Sequence, residues 1–368
     1  MEFREGDIIY DIRAVSRGEW NALQAQGNVF YDYTKLTATN TCPTWGVLRY
    51  GLHRTEIPLS MGGRNLAVEC GSACHDFFAA LRWWSLRERA VAAPSWLIQH
   101  FGEERAGSML TVPQDSDRVN NAQLFALDAL HTSGYYDDPS DRRRTMANME
   151  ASCLVYADRY FQSDLPVFFD ASITMPGIEV PFVLEVERWR DGDYNADRRY
   201  YCGRIDGIHT MGQEGEFIVA ENKTAARLSD VWRMAFAISH QVTGYCIAAS
   251  ALLGADVSNA IVMGVQIPLP RDVFDGVSFE LVTRTESDKL RWCEWFFHSV
   301  DQHERYIPKP LDAPRYSHSC NRYFSACQFI PYCALERSEQ DRAILDMRID
   351  EWSPLDHIRE KTVEGDTQ

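Results

Sequence analysis

Residues 203–224 read GRIDGIHTMGQEGEFIVAENKT, and their placement decides the architecture of the chain. The apolar run Phe217–Ala220 ends in Glu221-Asn222-Lys223, and Asp206 lies on the segment just before it. Strands favour Val, Ile and Phe and are depleted in Glu and Lys, so these charges either decorate an edge or build a site. The flanks point to a site. Ile205, Ile208, Phe217, Ile218, Val219 and Ala220 give both strands the composition of central strands, where an unpaired charge is costly. An edge ion pair from Lys223 to Asp206 or Glu221 is the alternative for so short a pattern. Side chains alternate along a strand, so Glu221 and Lys223 share one face and Asn222 takes the other. Asp206 then reaches the face of Glu221. Carboxylates of this kind hold Mg²⁺ together with substrate phosphate oxygens. Such a cation activates water and clamps the displaced oxygens. These are the parts required for phosphodiester hydrolysis.

Working outward, strands are predicted over 180–189, 200–208 and 216–223, the last two joined by a turn at Gly212-Gln213-Glu214-Gly215. Ser229 is placed as an N-cap and Gly254 as a stop, with one long helix between them. Its apolar stripe is Val231, Met234, Ile238, Val242, Tyr245, Ala249 and Leu252. Strands at 260–269 and 277–284 and a helix over 288–306 follow. On the N-terminal side, helices are predicted over 16–26, 68–87, 122–130 and 145–160, the last two inside a helical insertion at about 88–164. The rest of the first forty residues reads as mixed. The result is a mixed α/β chain, a central sheet with helices on its faces.

The chain has 368 residues, 45% of them hydrophobic, enough to bury a sizeable core. No run of about 18 apolar residues occurs, so no membrane span is expected. The charged N-terminus lacks a secretory apolar run, and a cytoplasmic protein is expected. The net charge of −16 argues against a generic nucleic-acid coat, which would be basic. It leaves room for an enzyme with a local basic groove. Arginines cluster at Arg142-Arg143-Arg144 and at Arg188, Arg190, Arg198, Arg199 and Arg204, with solvated faces as the plain alternative.

Gly203-Arg204-Ile205-Asp206-Gly207 followed by Glu221-Asn222-Lys223 resembles the PD-(D/E)XK nuclease superfamily. Gln241-Val242-Thr243-Gly244-Tyr245 matches the Q-x-x-x-Y motif of its RecB-like branch, and Gln241 and Tyr245 share a helix face. Gly71-Ser72-Ala73-Cys74-His75 resembles the branch's upstream G-x-x-x-H helix. The resemblance implies a restriction-endonuclease-like core. It implies His75, Asp206, Glu221 and the Asn222 backbone carbonyl as ligands of Mg²⁺ or Mn²⁺, with Lys223, Gln241 and Tyr245 completing the catalytic set. The family's acid on the first core strand matches Glu187, with Glu185 as its same-face neighbour. The sequence does not choose between these two.

Cys320, Cys327 and Cys333 are spaced C-x6-C-x5-C in loop-like sequence. This is neither a C-x2-C zinc ribbon nor a familiar ferredoxin spacing. It resembles the C-terminal trio of Cas4-like (phage-type) iron–sulfur exonucleases, in which an upstream cysteine completes the set. Cys42 stands in that place. The resemblance implies a 4Fe-4S cluster on Cys42, Cys320, Cys327 and Cys333, with a structural Zn²⁺ on the same residues, or no metal, as alternatives. Cys70, Cys74, Cys153, Cys202, Cys246 and Cys293 read as small buried apolar residues.

The chain is therefore expected to be one nuclease domain over 1–336 with an acidic tail over 337–368. Its expected function is metal-dependent DNA cleavage, as an exonuclease on single strands or duplex ends. Its expected partners are DNA and the proteins of recombination, CRISPR adaptation or phage replication. A catalytically silent DNA-binding or assembly subunit with the same fold is one alternative. A redox or sensing protein that uses the cluster itself is another.

Overall fold

The structure is a computed structural model that describes residues 1–55, 65–86, 118–163, 165–170, 175–192, 195–212, 215–269, 276–322 and 325–355. In chain order the main elements begin with β1 (Glu2–Glu5), β2 (Ile8–Ala14), α1 (Arg17–Ala25), β3 (Phe30–Tyr31) and α2 (Tyr33–Thr41). Three helices follow: α3 (Leu66–Leu86), α4 (Arg118–His131) and α5 (Met146–Gln162). Then come β4 (Ile178–Arg190), β5 (Asp197–Thr210), β6 (Phe217–Ala225), α6 (Asp230–Met234) and α7 (His240–Leu253). The last are β7 (Asn259–Gln266), β8 (Val277–Thr283), α8 (Glu286–Tyr306) and α9 (Arg337–Asp346). The mixed α/β architecture expected from the sequence is present, with helices packed on a mixed sheet. The part of the expected insertion at 88–117, the turn residues 213–214 and the tail beyond 355 lie outside the described residues.

The chain divides into two compact units: Met1–Gly63, Val183–Gly203 and Glu286–Ile358 form the first, and Arg64–Phe182 and Arg204–Thr285 the second. In the first unit the strand order is β1-β2-β4-β5, with β3 parallel beside β5. The N-terminal residues read above as mixed thus form an antiparallel pair, and β2 aligns Ile8 with Arg190 and Ala14 with Leu184. The first helix starts where expected, because Glu19 accepts hydrogen bonds from the N–H and hydroxyl of Ser16. α8 lays Trp292, Phe296 and Phe297 against Tyr201, Tyr31 and Tyr10, which explains its aromatic content.

In the second unit the order is β4-β5-β6-β7-β8. β5 and β6 are antiparallel, β6 and β7 parallel, and β7 and β8 antiparallel. A parallel neighbour requires a crossover, and α7 is the main helix of that crossover. Phe77, Phe78, Leu81 and Trp83 of α3 form one core with Ala126 and Leu130 of α4, Met149 and Tyr156 of α5, and Ile218 and Ala220 of β6.

The single helix expected between Ser229 and Gly254 is two. Ser229 caps α6 through Trp232 N–H. The helix then breaks, and Ser239 caps α7 through Val242 N–H. Gly254, at φ 63°, ends α7 as expected. The break moves the first half of the apolar stripe out of the core. Val231, Met234 and Ile238 are 79%, 71% and 82% exposed, while Val242, Tyr245 and Ala249 are buried. No helix among the described residues is long and apolar enough to cross a membrane.

Candidate metal centre

The antiparallel ladder of β5 and β6 runs from the pair Thr210–Phe217 to Gly207–Ala220. Asp206 and Glu221 are the next residues on each strand. Asp206 Oδ2 accepts the main-chain N–H of Asn222 at 2.7 Å, which uses one carboxylate oxygen to hold the two strands together. The other, Oδ1, lies 3.6 Å from His75 Nδ1. His75 comes from α3, on the helix turn that begins at Gly71.

A third group joins them from β4. Glu179 Oε1 lies 4.0 Å from the same His75 nitrogen, and one ligand atom from each of His75, Glu179 and Asp206 lies within 4.8 Å of the other two. Glu179 has φ 48°, a left-handed conformation that costs a residue other than glycine about 1–3 kcal/mol. Its Oε2 takes Arg204 Nε at 2.7 Å, while its Oε1 is buried without a hydrogen-bond partner among the described residues. Burial raises the Glu179 carboxyl above the usual range, against the pull of Arg204.

Glu221 and Lys223 share a face as alternation required, and they form an ion pair. Glu221 Oε2 is buried with no hydrogen-bond partner among the described residues. Burial, then the charge of Asp206, pushes the Glu221 carboxyl up to about 8, with Lys223 opposing. Lys223 Nζ donates to Gln241 Oε1 at 3.1 Å, and Gln241 Nε2 donates to Tyr245 OH at 3.1 Å. A continuous chain of contacts therefore runs from Glu221 through Lys223 and Gln241 to Tyr245. The Ser239 cap fixes its far end, because Gln241 stands in the first turn of α7.

Asn222 points to the opposite face. Its Oδ1 accepts from Arg82 Nη2 at 3.1 Å and from Tyr156 OH at 2.8 Å. Glu187 and Glu185 are placed otherwise than expected for a ligand. Glu187 pairs with Arg198, and Glu185 with Arg13 at 2.7 Å. The acid of β4 that stands beside His75 and Asp206 is Glu179, eight residues earlier than Glu187. Its sequence signal is a lone acid between two strand residues, Ile178 and Val180, that are both buried.

The donor set fits a hard divalent cation. It combines one imidazole nitrogen with carboxylate oxygens, and two buried carboxylate oxygens, on Glu179 and Glu221, have no hydrogen-bond partner among the described residues. Bonds of about 2.1 Å place octahedral donors roughly 3 to 4.2 Å apart, and the 3.6 and 4.0 Å separations at His75 fall in that span.

The four cysteines singled out above belong to the first unit. Cys42 lies between α2 and a short turn of helix, Pro43–Gly46. Thr44 ties that turn to the C-terminal segment by donating to the carbonyls of Ala313 and Pro314. Cys327 N–H donates to the Cys320 carbonyl at 2.7 Å, and Cys333 N–H to that of Phe329. Burial, then the charge of Cys42, pushes the Cys333 thiol up to about 11, with Cys327 and Cys320 adding to it. Cys333 thus feels the charges of the other three thiols, and Cys327 those of Cys42 and Cys320. All ten cysteines are free thiols, and the six read as packing residues are buried.

No protein-family model matches the chain, and no curated protein matches it.

Proposed function

We propose that the chain is a metal-dependent DNA nuclease with a restriction-endonuclease-like core, acting on single strands or duplex ends. One observation carries the reading: the His75–Glu179–Asp206 donor set lies at the fork of a hairpin whose next residues are an ion-paired Glu221 and Lys223. His75, Glu179 and Asp206 would hold Mg²⁺ or Mn²⁺, with Glu221 and the Asn222 carbonyl beside them. When bound, such a cation supplies Lewis-acid stabilisation of the charge that develops on a phosphodiester. The protein's own part is orientation. Lys223 is held from two sides, by Glu221 and by Gln241, so its ammonium is aimed before substrate arrives. A fixed cation of this kind steadies developing negative charge at no reorganisation cost. Phosphates outside the site would be neutralised by surface arginines, with salt-sensitive affinity.

In the first unit we propose an iron–sulfur cluster on Cys42, Cys320, Cys327 and Cys333. What supports the reading is the C-x6-C-x5-C spacing and the charge of Cys42, Cys327 and Cys320 felt at the Cys333 thiol; a structural Zn²⁺ on the same residues is the alternative. The cluster's part is structural, since hydrolysis needs no electron transfer.

The test is cleavage of end-labelled single- and double-stranded DNA, linear and circular, with Mg²⁺ or Mn²⁺. Wild-type protein should shorten linear substrates and leave closed circles intact. Asp206→Ala and Glu221→Ala should lose cleavage by 10²-fold or more, on the order expected for removing a preorganised electrostatic group, and should still fold. Normal cleavage by either variant would remove the site, and wild-type protein that binds DNA without cutting it would make the chain a silent binding subunit.

A further inference from the structure

α3 carries a second polar side chain into the region of His75. Arg82 follows His75 by seven residues, two helical turns and about 10.5 Å of rise, so it lies on the same side of the helix. It is fully buried. Among the described residues no carboxylate hydrogen-bonds its guanidinium. Arginine is almost never fully buried unless paired, and an uncompensated buried charge is costly. Something must hold it there.

Its hydrogen bonds show what. Nη1 donates to the Asp206 carbonyl at 3.4 Å and Nη2 to Asn222 Oδ1 at 3.1 Å. These are the two residues joined by the Asn222 N–H to Asp206 Oδ2 bond. Nε donates to His209 Nε2 at 3.3 Å. That nitrogen is an acceptor because burial, then Arg82, pushes His209 down to about 3, and its proton sits on Nδ1, facing the Leu165 carbonyl. The backbone leaves room for this arrangement. A Cβ on Gly207 would stand 2.7 Å from Arg82 Nε, so the glycine of the Asp206-Gly207 pair is what admits the guanidinium. One rigid fork therefore ties the helix that carries His75 to both strands that carry the carboxylates.

Resting on the metal-site reading above, we propose that Arg82 is a positioning residue, which sets the spacing of His75 from Asp206 and through it the affinity for the cation. It acts through ligands and touches neither cation nor substrate.

The test is Mn²⁺ binding by full-length protein without nucleic acid, read from the electron paramagnetic resonance of the unbound ion. Arg82→Met keeps bulk and removes the donors; Arg82→Lys keeps the charge and loses the fork. Arg82→Met should weaken Mn²⁺ binding roughly 10- to 100-fold, the range for residues that orient metal ligands, and Arg82→Lys should weaken it less. In a His75→Ala background the same Arg82→Met change should cost no more than about twofold, because the spacing has no histidine left to place. An equal loss in both backgrounds would overturn the proposal. So would an Arg82→Met protein that melts earlier and binds Mn²⁺ as the wild type does. If Arg82→Met does not fold, Arg82→Lys carries the same comparison in both backgrounds. Wild-type protein that binds no Mn²⁺ would remove the metal site itself, whatever Arg82 does, and this role would fall with it.

Discussion

Glu179 combines two unfavourable features at one position, a left-handed backbone and a buried carboxylate oxygen with no hydrogen-bond partner among the described residues. Neither helps the fold. Both are explained if the side chain must reach a cation, since strain of this kind persists where function requires the geometry. Glycine takes φ near 48° without penalty. Relief of the strain then offsets the loss of the Arg204 pair, so Glu179→Gly should melt within a few degrees of the wild type in metal-free buffer, while Mn²⁺ binding is lost. Calorimetry and the resonance titration on the same sample decide the matter. A variant that melts earlier and keeps its Mn²⁺ would make Glu179 a structural residue. Asp206, Glu221 and Lys223 stand out in the sequence because charge interrupts an apolar strand pattern. Glu179 does not, because what selects it over Glu187 is a backbone turn that no spacing rule contains. Arg82 is equally hidden. It sits within Leu81-Arg82-Trp83-Trp84, where a single cation reads as a snorkelling surface residue, and only the packing of α5 and β6 around it reveals the opposite.

At the level of elements, period and punctuation carried most of the information. The three strands of the motif region, α3, α5 and α8 fall within a few residues of where alternation, three-to-four spacing and the caps placed them. Two features were not legible. β1 and β2 are short, and their alternation is interrupted by charges that pair across the sheet surface, such as Arg4 with Asp191. The break before α7 has no proline or glycine to mark it. Val231, Met234 and Ile238 continue the apolar stripe, and only the Ser239 cap ends it. Arg284 then fixes the break by donating to the carbonyls of Phe236 and Ala237. The two halves of the stripe should respond differently to substitution. Val231→Ser, Met234→Ser and Ile238→Ser should each change stability by less than about 0.5 kcal/mol, as at other exposed sites. Ser239→Ala should cost about 1 kcal/mol, the usual value of an N-cap. It should also lower cleavage, because the turn that presents Gln241 to Lys223 loses its anchor. Urea unfolding of the four variants checks the first two values. A loss of several kcal/mol from the exposed trio would restore the single buried helix.

At the scale of the whole chain, the first unit is assembled from three segments that are distant in sequence, and Cys42 and the cysteine trio belong to the first and the last of these. Apolar contact beside the cysteines is modest. Leu48 packs with Phe329, Tyr332, Ala343, Ile344 and Met347 in a small core of its own, with Cys327 and Cys333 at its margin. A core of that size benefits from a metal staple, because binding energy at such a site is folding energy. The burial and mutual repulsion that push the Cys333 thiol up to about 11 are also what metal binding would reverse, since ligation requires the thiolate. Protein purified without oxygen should therefore be brown, with iron and acid-labile sulfide. Cys42→Ala should bleach it as thoroughly as Cys327→Ala or Cys333→Ala, and the three variants should melt earlier and be cut more readily by protease in both the N-terminal and the C-terminal segments. Cys74→Ala and Cys246→Ala should stay coloured, because those thiols are buried among the side chains of the second unit. One equivalent of zinc in colourless wild-type protein would replace the cluster and keep the staple. Full colour in Cys42→Ala would take Cys42 out of the site. The first and last segments of the unit would then be held by the packing of α8 on Tyr10 and Tyr31, the Thr44 hydrogen bonds and the small apolar core, with no metal joining them.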